Sequence, residues 1–160
     1  MAQSAKEAVL HGNPIIPGYF ADPTVKKFGD TYYIYATTDG NGGGFGPSQV
    51  WTSKDFVNWT MQDMNWPTTH YYWAPDVTQG ADDKYYLYYC QPVEIFGASA
   101  DTPVGPWTSL LPKGKPVVSN FMVPNVITLD GRLLKMMMAS IICIGAPGAF
   151  IPTMAVVLVF

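Results

Sequence analysis

Thr31-Tyr32-Tyr33-Ile34-Tyr35 returns later in the chain as Lys84-Tyr85-Tyr86-Leu87-Tyr88-Tyr89, displaced by 53 residues. The first run continues through Ala36-Thr37-Thr38 and is bounded by Gly29-Asp30 and Asp39-Gly40. Aromatic and β-branched residues suit the pleated, half-buried surface of a strand, and the flanking Gly and Asp residues suit turns. Both runs are therefore predicted as strands. The repetition extends in each direction. Upstream, Ala21-Asp22-Pro23 has a rough counterpart in Ala74-Pro75-Asp76. Downstream, Ser53-Lys54-Asp55-Phe56-Val57-Asn58-Trp59-Thr60 has one in Ser99-Ala100-Asp101-Thr102-Pro103-Val104-Gly105-Pro106-Trp107-Thr108. Three segments recur in one order, at a period near fifty residues, with several short strands per unit. That is the signature of β-propeller blades, and it outweighs two chance strands of a β-sandwich.

The surrounding sequence agrees. Gln49–Ser53 reads as a further strand and Lys54-Asp55-Phe56 as a turn before Trp59. Fourteen prolines and fifteen glycines in 160 residues argue against a helix bundle. All ten tyrosines precede residue 90. The net charge is −3 and Arg132 is the single arginine, so a surface built to neutralise phosphates is excluded and no nucleic-acid partner is expected. His11, His70, Cys90 and Cys143 show no metal-ligand spacing. The glycine-rich run Gly40–Gly46 lacks the Lys-Ser/Thr of a phosphate loop, and no Gly-x-Ser-x-Gly elbow occurs. Two cysteines make no disulfide framework, and Met1–Leu10 shows no basic-then-apolar leader, which together predict a cytoplasmic product.

The charge distribution divides the chain. Every Lys, Arg, Asp and Glu lies between Lys6 and Lys135, and the 25 residues from Met136 to Phe160 carry none. An uncharged apolar stretch of that length can span a bilayer. Pro147 and Pro152 interrupt it, however, and no basic residue follows it to set an orientation, so a membrane role is not expected. The genetic code offers a sharper explanation. Methionine has a single codon, so Lys135-Met136-Met137-Met138-Ala139 must be encoded AAR ATG ATG ATG GCN. Started at the third base, the same letters read RAT GAT GAT GGC, an Asp (or Asn)-Asp-Asp-Gly turn. Ile141–Gly145 then permits an alternating aromatic strand in that frame, about 57 residues after the second copy, where a third blade belongs. Loss of one T from CTT TTT AAA GAT would give Leu133-Leu134-Lys135 in place of Leu-Phe-Lys-Asp. Residues 135–160 are accordingly expected to be an out-of-frame tail.

Carboxylates are the remaining candidates for chemistry. Asp30, Asp39, Asp82 and Asp83 sit in turn contexts. Asp22 differs, because it follows Gly18-Tyr19-Phe20-Ala21 at the start of an innermost blade strand, where a carboxylate can face the propeller axis. The residue types by themselves leave a turn role and a site role both open.

Longer phrases point to a family. Asn13-Pro14-Ile15-Ile16-Pro17-Gly18-Tyr19-Phe20-Ala21-Asp22-Pro23-Thr24, then Tyr32–Tyr35, then Tyr72-Trp73-Ala74-Pro75-Asp76-Val77, then Ser99–Trp107 resemble, in that order, the family 43 glycoside hydrolases. These are the five-bladed propeller arabinofuranosidases, xylosidases and arabinanases. The resemblance covers residues 13–134. It implies an all-β, five-bladed β-propeller, of which this chain holds a lead-in (1–12), about two blades plus the first strand of a third (13–134), and the apolar tail (135–160). It further implies an inverting hydrolase with three acidic groups: a general base, a general acid, and an aspartate that tunes the acid. By motif, Asp22 matches the base. Asp130 matches the tuning aspartate, since Asp130-Gly131-Arg132-Leu133 continues into the family's Asp-Asp-Asp-Gly only in the shifted frame. Trp73 resembles the aromatic wall of the sugar subsite, and Phe45 is expected to line the same pocket from the glycine loop. The family's acid is a glutamate of a later blade; Glu7 and Glu94, the two glutamates present, do not match it. The implied substrate is an arabinosyl or xylosyl linkage in a plant pentose oligosaccharide, with this chain itself inactive. The alternative is a non-catalytic carbohydrate-binding propeller fragment. No cofactor is implied, although some relatives hold an axial calcium or sodium ion. Asp76 reads as structural, and Trp59 and Trp107 as packing between blades.

Overall fold

The computed structural model describes residues 14–16, 20–37, 48–64, 66, 71–92, 94–119, 128–135, 141–147 and 156–159. Three antiparallel sheets follow one another along the chain. The first is β1 (Ala21–Phe28), β2 (Thr31–Thr37), β3 (Gln49–Ser53) and β4 (Thr60–Asp63), in that spatial order. The second is β5 (Trp73–Gln79), β6 (Tyr85–Gln91), β7 (Glu94–Ala100) and β8 (Thr108–Ser109), again in order. The third pairs β10 (Ile141–Pro147) with β9 (Thr128–Lys135) on one side and β11 (Val156–Val159) on the other. β1 lies against β5, and β5 against β9, so the first strand of each sheet is the innermost. Consecutive meanders arranged about their first strands are propeller blades.

Both tyrosine runs are strands β2 and β6, as the repeat predicts. The third sheet goes further than the single strand expected, because the uncharged tail supplies β10 and β11. The physical reason is local. β9 alone would present an open row of backbone donors and acceptors, and segments rich in Ile and Val readily satisfy such an edge. Among the described residues, no helix is long and apolar enough to cross a membrane.

The second sheet is sandwiched. Leu87 and Tyr89 of β6 face the first sheet, where they join Tyr35, Val50, Val77, Ala98 and Trp107 in one buried cluster. Tyr88 and Cys90, on the opposite face of β6, pack with Ile95, Val117 and Val118. Burial on two faces explains why β2 and β6 are near-continuous apolar runs rather than polar–apolar alternations. Trp107 packs between the first two sheets, as expected. Trp59 lies on the other face of the first sheet with Ile34, Ala36 and Trp51, and its ring meets Phe56 edge-on at 5.3 Å. The turn before it is held by Asp55, whose Oδ1 accepts from the Val57 and Asn58 amides at 2.9 and 2.8 Å. Those amides, Asn58 foremost, hold the Asp55 carboxyl far below the usual carboxylate range.

Close packing sets one measurable limit on β7. A Cβ added at Gly97 would meet Leu110 Cδ1 at 2.7 Å, Tyr88 Cε1 at 3.2 Å and Val117 Cγ1 at 3.3 Å. Leu110 can turn aside, whereas the buried Tyr88 ring has nowhere to go. Gly97→Val is expected to cost about 2 kcal/mol through overpacking. A lower urea midpoint with an unchanged slope would register it.

The inner strands share an irregularity that the sequence comparison misaligned. Ala21 pairs with Thr37 but Thr24 with Tyr35, so β1 takes three steps where β2 takes two. The same bulge recurs in β5, between the Trp73–Cys90 and Asp76–Tyr88 pairs, and in β9, between the Leu129–Ala146 and Arg132–Ile144 pairs. The register therefore matches Asp22-Pro23 to Ala74-Pro75 and to Asp130-Gly131. The earlier pairing of Ala21-Asp22-Pro23 with Ala74-Pro75-Asp76 is one residue out, because the β5–β6 turn differs in length from the β1–β2 turn.

Candidate active site at the inner-strand bulges

A bulge bends its strand and re-aims a side chain, and the proline after it is tolerated because the ladder is already broken there. At Asp22 the backbone adopts φ 49°, and at Ala74 φ 43°. Aspartate visits this left-handed region more easily than most residues, while for alanine it is strained. The two conformations are thus held by the sheets around them, at the same position in neighbouring blades.

Asp22 is exposed, and its Oδ2 accepts a hydrogen bond from Thr37 Oγ1 at 3.0 Å. Thr37 is the last residue of β2 and is 4% exposed. Its Oγ1 also accepts from the Ala74 amide at 2.8 Å. One hydroxyl therefore links the carboxylate at the first bulge to the backbone at the second. Trp73 immediately precedes Ala74, is half-buried, and lies with its ring centroid 4.9 Å from that of Tyr71. The structure thus brings Asp22 and the Trp73-Ala74 segment together. Asp130 occupies the matching bulge of β9, the strand on the other side of β5. Phe45 lies outside the described residues.

Asp76, two residues beyond Ala74, has a different setting. It is 2% exposed, and its Oδ1 receives Lys26 Nζ at 2.7 Å, Thr24 Oγ1 at 3.1 Å and the Val77 amide at 3.1 Å. Lys26 and Thr24 belong to β1, so this carboxylate clamps the two inner strands together and is spent on structure. The nearby phenols are poor acid–base candidates. Burial pushes the Tyr72 and Tyr35 hydroxyls well above their ordinary range and Tyr89 up to about 12, so all three stay protonated at neutral pH. Tyr35 spends its proton on the Pro103 carbonyl at 2.8 Å. Among the described residues, no group of three or more His, Cys, Asp or Glu side chains could hold a metal ion. Two features escaped the sequence reading: the register of the bulges and the role of Thr37. The first had a signal in the paired X-Pro steps, Asp22-Pro23 and Ala74-Pro75; the second had none.

Comparison with known proteins gives this geometry its context. A β-D-galactofuranosidase of Aspergillus niger is 27% identical over 143 residues, covering 78% of this chain and 41% of its own. The arabinoxylan arabinofuranohydrolase of Bacillus subtilis is 28% identical over 142 residues, covering 68% of this chain and 27% of its own. A crystal structure of a family 43 arabinoxylan arabinofuranohydrolase from Bacillus subtilis, in complex with cellotetraose, superposes with a TM-score of 0.64 at 25% identity, over 88% of this chain and 36% of that one. A glycoside hydrolase structure superposes at 0.69 with 28% identity, over 93% of this chain and 38% of that one. The chain therefore spans less than half the length of each of these relatives. Glycosyl hydrolases family 43 is matched over residues 11–138, and the chain, all-β and propeller-like as that family is, belongs to it.

Proposed function

We propose that residues 13–134 form the base-bearing opening portion of an inverting glycosidase that cleaves arabinosyl or xylosyl linkages in plant pentose oligosaccharides. The observation that carries this reading is the repeated bulge, which sets Asp22 and Asp130 at equivalent positions on the first and third inner strands. Asp22 is the general base. It takes a proton from the water that attacks the anomeric carbon, while an acid roughly 6.5–9.5 Å away protonates the departing oxygen. Asp130 tunes that acid: a neighbouring negative charge disfavours its ionisation and keeps it protonated near neutral pH. Trp73 supplies an aromatic wall for the sugar ring, and Phe45 of the glycine loop lines the same pocket.

The acid itself is missing. Glu7 and Glu94 are the two glutamates of the chain, and Glu94 starts β7, two strands outward from β5. The family match stops at residue 138, three residues into the uncharged stretch, which supports a shifted reading frame from about Leu134 onward. Strand formation by the tail is no objection, since pairing to an open edge asks only for β-forming side chains. The 160-residue chain is accordingly expected to bind a pentose oligosaccharide weakly and to hydrolyse none. Calorimetric titration with arabino- and xylo-oligosaccharides, beside an assay with aryl arabinofuranoside and aryl xyloside, checks both halves. Turnover by the 160-residue chain itself, lost in Asp22→Ala, would contradict the expected inactivity of this chain. Binding without turnover in the frame-restored protein as well would favour the carbohydrate-binding alternative.

A further inference from the structure

The geometry points to Thr37 as a positioning residue for Asp22, selecting which carboxylate oxygen is left to act on water. The role rests on Asp22 being the general base. A threonine hydroxyl has one proton to donate. The Ala74 amide can only donate, so its 2.8 Å bond to Oγ1 uses the acceptor side of that hydroxyl. The Thr37 proton is thereby committed to Asp22 Oδ2, 3.0 Å away, by the backbone of the next blade. Oδ2 is held, and Oδ1 is the oxygen left for the water.

The constraint is needed because Asp22 is exposed, so that solvent alone would leave its carboxylate free to exchange among the staggered rotamers its backbone at φ 49° permits. It is also specific to the blade that carries the base. The register puts Cys90 in the second sheet and Ala146 in the third at the position Thr37 holds in the first. Neither can offer a comparable hydroxyl to a carboxylate at its bulge. Asp22 and Asp130 thus occupy equivalent backbone positions but differ in the residue across the ladder, as two carboxylates with different tasks require.

Thr37 is buried, so it must be distinguished from a residue that merely fills space. Valine has the same shape as threonine without the hydroxyl, and serine keeps the hydroxyl without the methyl. The experiment uses the 160-residue chain, isotope-labelled, and reads the three-bond couplings from the Asp22 backbone nitrogen and carbonyl carbon to Cγ, which report its χ1 rotamer. Hydrogen exchange of the Ala74 amide is followed in parallel. A single Asp22 rotamer is expected in the wild type and in Thr37→Ser, and averaging over rotamers in Thr37→Val with loss of Ala74 amide protection. Packing alone would reverse this order, leaving the valine variant ordered. A single rotamer in folded Thr37→Val, or averaging in the wild type, would overturn the assignment. Should the valine variant not fold, averaging in folded Thr37→Ser would overturn it equally. The base role fails by a separate observation, undiminished turnover of Asp22→Ala in the frame-restored protein, so the two are distinguishable.

Discussion

Asp76→Ala is expected to destabilise the fold by about 3 kcal/mol, the scale for breaking a buried ion pair from one side. The variant leaves the partly buried Lys26 Nζ without its 2.7 Å partner and strips an acceptor from Thr24 and from the Val77 amide. Lys26 keeps a quarter of its side-chain surface in water, which places the effect at the lower end of the range. The seam between the first two sheets should feel it first, since Lys26 and Thr24 are on β1 and Asp76 on β5. Urea unfolding measures the loss. A double variant, Lys26→Met with Asp76→Leu, should recover most of it, because replacing both charges by apolar groups removes the desolvation cost together with the attraction. If Asp76→Ala costs less than about 1 kcal/mol, the size expected of a surface pair, the clamp is not structural in the sense argued.

The larger effect concerns chemistry. In the protein translated onward in the restored frame, Asp22→Ala is expected to lower kcat by about three orders of magnitude, within the span that a positioned general base contributes. KM should change little, because the proposed base acts on water in the transition state and not on the bound sugar. Asp130→Asn should behave differently. Without the second charge the acid ionises at lower pH, so the alkaline limb of the pH–rate profile moves towards acid while the acidic limb, set by the base, stays. Comparable losses with no change of profile in either variant would contradict the division of roles.

Much of this was legible in the chain. The strands around Tyr35 and Tyr88 announce themselves because a sheet buried on both faces needs aromatic and β-branched residues throughout, and a period near fifty turns two such strands into blades. The place of Asp22 at the start of an inner strand was legible through its neighbours. Its partner was not: Thr37 is an unremarkable threonine at the end of a strand, and its importance depends on a backbone amide 37 residues further along. Nor could periodicity place the bulges, since one extra residue per inner strand is a property of pairing rather than of any single segment. That is why Asp22 was set against Pro75 when the ladder sets it against Ala74. The strands of the tail were not legible from its lack of charge, because its apolar residues pair into a sheet whatever reading frame produced them.

The central claim is that the chain carries the base of a family 43 site without its acid, the reading frame having shifted near Leu134. The most direct measurement is the nucleotide sequence through the codons for Leu133–Met138, translated onward in both frames. The account predicts that the alternative frame continues with Asp-Asp-Asp-Gly, an aromatic strand and further blades at a period near fifty residues, one of them carrying a glutamate in an apolar context. An alternative frame that encodes no further propeller repeats would contradict it.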